Sequence, residues 1–213
     1  MRVALAEKLN GIDSVELGEL SDPEPAAGQA LIRVHGAGVG PWDVGFLSGG
    51  FPGLALPFVP GQEVAGVVEA ADDAAGVQPG DRVYASLFPT GGGFAELALA
   101  SEDRLAPMPE RASFEEAAGL VIGAGTAHDG LVDRGLLQAG ETVLITAAAG
   151  GVGSAAVQIA KAIGARPLGW PARPTMSTCG SWVPATSSTT TPPTGSNRSW
   201  PQSPAASTCS SIA

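Results

Sequence analysis

Short apolar runs set off by glycine and proline turns fill the first 110 positions of the chain. The runs at 30–34, 64–69, 82–85 and 94–98 each read as a short strand. Ala27-Gly28, Pro60-Gly61, Pro79-Gly80 and Gly91-Gly92-Gly93 punctuate them. That spacing predicts a small β-barrel with a partly open sheet. At Ser113 the period changes. Ser113-Phe114-Glu115-Glu116 has the composition of a capping box, and a helical stretch is expected from there to about Leu137. Gln138-Ala139-Gly140-Glu141 is then a turn, and Thr142 to Ile145 a short buried strand. Beyond the glycine-rich segment that follows, Val152, Ala156, Ile159 and Ile163 fall at steps of 4, 3 and 4, on one face of a helix.

Strand, glycine turn and helix in that order make the segment Ala147-Ala148-Ala149-Gly150-Gly151-Val152-Gly153 informative. Ala148 stands at the first glycine of the usual GxGxxG, so the match is AxGxxG. Gly150 would let the backbone approach a pyrophosphate, and Gly153 would let helix and strand pack closely. The helix start offers unpaired N–H groups and a positive dipole end to phosphate. Gly150, Gly151, Val152 and Gly153 are therefore the expected dinucleotide contacts. A plain βα turn is the alternative.

Charge is distributed unevenly. All 21 acidic residues lie at or before Glu141, and residues 1–166 carry a net charge of −12. An acidic surface of this kind argues against nucleic acid or an anionic membrane as partner. No run of 18 apolar residues is present, and the apolar start of the chain runs at once into Glu7 and Lys8, so a cytoplasmic protein is expected. The cysteines, Cys179 and Cys209, give neither a metal spacing nor a disulfide framework. With His35 and His128 as its histidines and no Ser/His/Asp spacing, the chain gives a hydrolase little support.

The character of the chain changes after Arg166. Residues 167–213 hold 10 Ser, 8 Thr and 8 Pro in 47 positions and no Asp, Glu or Lys. Composition alone makes this an irregular, disordered tail. It begins where a second parallel strand should begin, and Pro167 is expected to break that strand. Read one base out of frame, positions 176–188 permit a helix, a Leu-Gly-Ala turn and a strand, and positions 205–209 a further strand. Out-of-frame translation of a normal gene and a true disordered extension are the two explanations.

Residues 1–166 resemble the medium-chain dehydrogenase/reductase superfamily, in particular its zinc-free quinone oxidoreductase-like branch. The resemblance rests on segments in family order. They are Val34-His35-Gly36-Ala37-Gly38-Val39-Gly40-Pro41-Trp42-Asp43, Pro57-Phe58-Val59-Pro60-Gly61-Gln62-Glu63-Val64-Ala65-Gly66-Val67-Val68, Pro79-Gly80-Asp81-Arg82-Val83 and Gly92-Gly93-Phe94-Ala95-Glu96. The 147–153 turn completes the set. The resemblance implies a fold of class α/β plus β: a GroES-like barrel over 1–112, then a linking helix and the first βα unit of an incomplete Rossmann-like nucleotide-binding domain over 113–166. It places the cofactor in the cleft between the two.

The same resemblance implies the chemistry. NADPH is the expected cofactor, with NADH possible, and the expected reaction is reduction of a quinone or an α,β-unsaturated carbonyl by hydride transfer. Where the alcohol-dehydrogenase branch has a zinc-ligating Cys and His, this chain has Gly40 and Gln62, and the four-Cys structural lobe is absent, so no metal is expected. Thr126 matches a position whose hydroxyl approaches the nicotinamide; a helix-packing threonine is the other reading. Trp42 and the loop around it are expected near the nicotinamide as well. Asp43 matches an aspartate that holds this loop, and taken alone it reads as an N-cap. Gly45 and Leu47 replace the family's Tyr and Arg. Phe46 and Phe51 wall an apolar pocket or pack the core. Tyr84 reads as barrel core and His35 as structural, while His128 faces a cleft or solvent. Intact members are expected to be homodimers with small-molecule substrates. A truncated, non-catalytic product and an enoyl-thioester reductase are the alternatives.

Overall fold

The computed structural model describes residues 1–170. The expectations for the tail from 171 on lie outside the described residues. Two compact units divide the chain, one over Met1–Ile122 and one from Gly123 on.

In the first unit, β1 (Arg2–Ala6) and β2 (Val15–Glu19) form an antiparallel pair. A five-stranded antiparallel sheet follows, built from β3 (Gln29–Ala37), β4 (Glu63–Ala71), β5 (Arg82–Ser86), β6 (Leu97–Ser101) and β7 (Leu105–Pro107) in the spatial order β6-β3-β4-β5-β7. Helix α1 (Pro41–Leu47) interrupts the path from β3 to β4. Strand alternation fills the interior: Ile32, Val64, Val68, Val83 and Ala85 are buried together, with Leu87 beyond β5. Bridges from Val3 to Ala95 and from Ala6 to Phe58 attach the β1–β2 pair.

Three of the four expected runs coincide with β3, β4 and β5. The fourth begins later, because the chain around 94–96 turns to β1 instead: the Ala4 N–H donates to the Phe94 carbonyl at 2.8 Å, and regular pairing with β3 starts only at Leu97. Tyr84 is not in the barrel interior. Its neighbours Val83 and Ala85 take that face, and Tyr84 points the other way, packing with Ala65, Met108, Ala117 and Ala118 beneath α2 (Phe114–Ala118). The capping box at Ser113 forms as the sequence predicts, Glu116 N–H to Ser113 Oγ at 3.2 Å and Ser113 N–H to Glu116 Oε2 at 2.9 Å. The helical stretch is not continuous. It divides into α2, α3 (Val121–His128) and a wide π-helical segment over Asp129–Arg134.

The second unit places β8 (Thr142–Thr146), α4 (Gly151–Ile163) and β9 (Arg166–Trp170) in a βαβ unit, with β8 and β9 parallel and in register from Thr142↔Arg166 to Thr146↔Trp170. Val143, Ile145, Ala148, Ala156, Val157 and Ala160 form its core, completed by Leu131. Pro167 does not break the strand. Arg166 N–H donates to Glu141 O at 2.7 Å, so strand alternation turns the Pro167 nitrogen away from β8, where a missing N–H costs no ladder bond.

Candidate functional site

In the first unit, three of the sequence segments meet at the start of α1. Asp43 is the third residue of that helix, not its N-cap, which is Gly40. Its carboxylate is buried and accepts two backbone N–H groups, from Gly40 at 2.9 Å and from Gly61 at 3.1 Å. Asp43 thus ties the first turn of α1 to the 60–63 segment. Gly61 in turn pairs with the glycine loop, accepting the Gly93 N–H at 3.0 Å, while Phe94 N–H donates to Pro60 O at 2.9 Å. Gly61 has φ +94°, and a Cβ there would lie 2.6 Å from the Phe94 ring, so both conformation and contact require glycine.

Glu63 opens β4 and is also buried. Its Oε2 accepts the Ile122 N–H at 2.7 Å. Burial pushes the Glu63 carboxyl above the usual carboxylate range. The Ile122 hydrogen bond opposes that shift, and the negative charge of Asp43 adds to it. Gln62, between Gly61 and Glu63, is wholly buried, and neither its Oε1 nor its Nε2 has a hydrogen-bond partner. Neither Gln62 nor Glu63 stood out in the sequence as a buried polar group. Hydropathy cannot separate a buried Gln-Glu pair from an exposed one at a strand start.

Trp42 is half-buried against the cluster of Ala6, Phe46, Leu47 and Phe58, and its indole Nε1 is buried without a partner. Phe46 is fully buried and stacks on Phe51 at 3.9 Å between ring centroids, with Phe58 at 5.8 Å, so the core-packing reading of these two rings holds. His35 stacks on Phe114 at 4.5 Å, and the Arg82 guanidinium lies 4.9 Å from the same ring, which makes His35 structural.

In the second unit, the 147–153 segment forms the elbow between β8 and α4. Ala147 has φ +51°, Gly150 is the N-cap, and Gly150 N–H donates to Ala147 O at 2.8 Å. Helical pairing then begins with Ser154 N–H to Gly150 O at 2.8 Å, so the N–H groups of Gly151, Val152 and Gly153 belong to the unpaired first turn. A Cβ on Gly153 would lie 2.7 Å from the Ala148 Cα, whereas a Cβ on Gly151 would meet nothing within 4 Å. The elbow is close-packed at Gly153 and has room for a Cβ at Gly151. That geometry fits a phosphate-bearing cofactor.

Thr126 belongs to this unit too. A Cβ on Gly123 would lie 3.6 Å from the Gly151 carbonyl carbon, so α3 runs beside the helix start, and Thr126 is one turn further along the same face. Thr126 is exposed, while Gly123 and Ala127 are the buried positions of α3. His128 is exposed, its Nδ1 3.2 Å from Asp133 Oδ2. Among the described residues no three His, Cys, Asp or Glu side chains are grouped to hold a metal ion, and no helix is long and apolar enough to cross a membrane.

A curled antiparallel barrel followed by a βαβ unit with a glycine elbow defines a GroES-like domain leading into the start of a Rossmann-like domain. Comparison with known proteins agrees. Residues 26–110 match the alcohol dehydrogenase GroES-like domain family. The human quinone oxidoreductase is 39% identical over 172 residues, covering 79% of this chain and 52% of the relative. Acryloyl-coenzyme A reductase of Metallosphaera sedula is 37% identical over 180 residues, covering 72% of this chain and 54% of the relative. Among solved structures, the quinone oxidoreductase of Thermus thermophilus, also solved in complex with NADPH, aligns with a TM-score of 0.69 at 38% identity, covering 82% of this chain and 54% of that one. The chain spans about half the length of the curated relatives it matches. The chain belongs to the medium-chain dehydrogenase/reductase superfamily, in its quinone oxidoreductase-like branch.

Proposed function

We propose that this chain is part of an NAD(P)H-dependent oxidoreductase, with NADPH as its preferred cofactor, that reduces quinones or α,β-unsaturated carbonyls without zinc. The observation that carries the reading is the elbow: three first-turn N–H groups at Gly151, Val152 and Gly153, a free Cβ position at Gly151, and close packing at Gly153. A bound nicotinamide would supply the hydride. The protein's part is to hold the pyrophosphate through Gly150–Gly153, to present Thr126 and Trp42 to the nicotinamide, and to keep the 40–43 turn in shape through Asp43. In this reading residues 1–112 are the catalytic barrel and 113–166 open the nucleotide domain. The protein works in the cytoplasm, and its intact form is a homodimer.

The absence of Cys and His at Gly40 and Gln62 supports a reaction that does not use zinc. The likeness to acryloyl-coenzyme A reductase favours one second reading, reduction of enoyl thioesters. Titration of the 213-residue chain with NADPH tests the first point. Enhanced nicotinamide fluorescence and a raised melting temperature are expected. If both stay flat, the chain taken alone is a non-catalytic piece. A quinone-against-enoyl-thioester assay on a length matching the relatives then separates the two substrate classes.

A further inference from the structure

Gln62 is fully buried, and both polar atoms of its carboxamide lack a partner. A carboxamide offers two N–H donors and an oxygen with two lone pairs, and leaving all of them dry in a protein interior is strongly unfavourable.

The backbone groups beside it in the chain are already committed. The Gln62 carbonyl accepts the Leu87 N–H at 2.8 Å. The Gly61 N–H goes to Asp43 and the Gly61 carbonyl to Gly93. Glu63 Oε2 takes the Ile122 N–H. The fold therefore ties the backbone on both sides of Gln62 into hydrogen bonds, while its carboxamide has no partner.

We propose that the Gln62 carboxamide is a binding point for an oxygen atom brought from outside the chain, accepting from Nε2. Two sources have this chemistry. One is a resident internal water, which would also donate to Oε1. The other is the carbonyl oxygen of an enone or quinone; only this source rests on the proposed function.

The test is made on the full chain with the Gln62 side-chain NH₂ resonances assigned from Gln62→Met, which lacks them, and through the backbone. Cross-relaxation between these protons and a long-lived water is expected in the free protein. Adding cyclohex-2-enone then separates the sources. An unchanged water signal assigns the site to water, and loss of it with a shift of the NH₂ resonances assigns it to the carbonyl. Because the water experiment needs no cofactor, failure of NADPH to bind leaves it intact. If the Gln62 protons show no water contact and do not move with the enone, or a crystal structure at high resolution shows the carboxamide against carbon atoms alone, the proposal is overturned.

Discussion

Glu63 Oε2 accepts the backbone N–H of Ile122 at 2.7 Å, joining residues 59 positions apart. The acid sits at the first residue of β4 and the amide in the first turn of α3, so a buried side chain closes the first unit at its C-terminal end.

The pH dependence of that link has a definite sign. Burial raises the Glu63 pKa, so the folded protein binds this proton more tightly than the unfolded chain does. The resulting stability is fully present below the unfolded pKa and is lost as pH rises through the raised folded value. Glu63→Gln keeps an acceptor for Ile122 and cannot ionise. Its melting temperature should exceed that of the parent at pH 7, with the gap closing in acid. A gap that is constant with pH would show that Glu63 does not titrate with folding. Glu63→Ala, measured at about pH 4, where the parent carboxyl is protonated, should cost about 1–3 kcal/mol in urea unfolding because the Ile122 N–H loses its partner.

Asp43 serves two donors at once, the N–H groups of Gly40 and Gly61. Asp43→Ala should destabilise the first unit by about 2–4 kcal/mol, the scale of two orphaned N–H groups. Hydrogen exchange at the Gly61 amide checks the mechanism. It should accelerate in the variant, and an unchanged rate would mean that the carboxylate does not hold that amide.

Two neighbouring glycines should respond in opposite ways. Gly153→Ala forces a Cβ to within 2.7 Å of Ala148 and should cost about 1–3 kcal/mol in stability. Gly151→Ala places its Cβ in open space and should leave the melting temperature nearly unchanged. If the elbow holds a pyrophosphate, the same Gly151→Ala change weakens NADPH binding by about tenfold or more, roughly 1.4 kcal/mol, read by nicotinamide fluorescence. Equal affinity in the parent and in Gly151→Ala would count against the elbow as the phosphate site.

Phe46 anchors the aromatic cluster beneath α1, fully buried and in contact with Phe51, Phe58 and Phe88. Phe46→Ala should cost about 3–5 kcal/mol. Phe46→Leu, which refills part of the volume, should recover much of the loss. Equal losses in the two variants would point to the ring contacts and away from the cavity.

Local signals carried much of this fold. Short runs between glycine and proline turns located β3, β4 and β5, because turn residues mark where a strand ends whichever face it buries. The Ser113 box and the 147–153 elbow were legible because capping and tight turns act over three or four residues. Pro167 misled because its effect depends on which side of β9 its nitrogen faces, and pairing with β8 settles that. The 94–96 segment misled for a related reason: its apolar pattern suits a strand, but β1 competes for it. Of the candidate site, the order strand, glycine turn, helix marked Gly150–Gly153, and the family resemblance pointed to Gly40 and Gln62 as the places where zinc ligands are missing. Only tertiary structure decided that Asp43 bonds Gly61, that Glu63 reaches Ile122, and that Gln62 is buried without a partner. Each of these depends on side chains converging from distant positions, and burial and hydrogen-bond direction at such points are set by packing, which no local sequence pattern encodes.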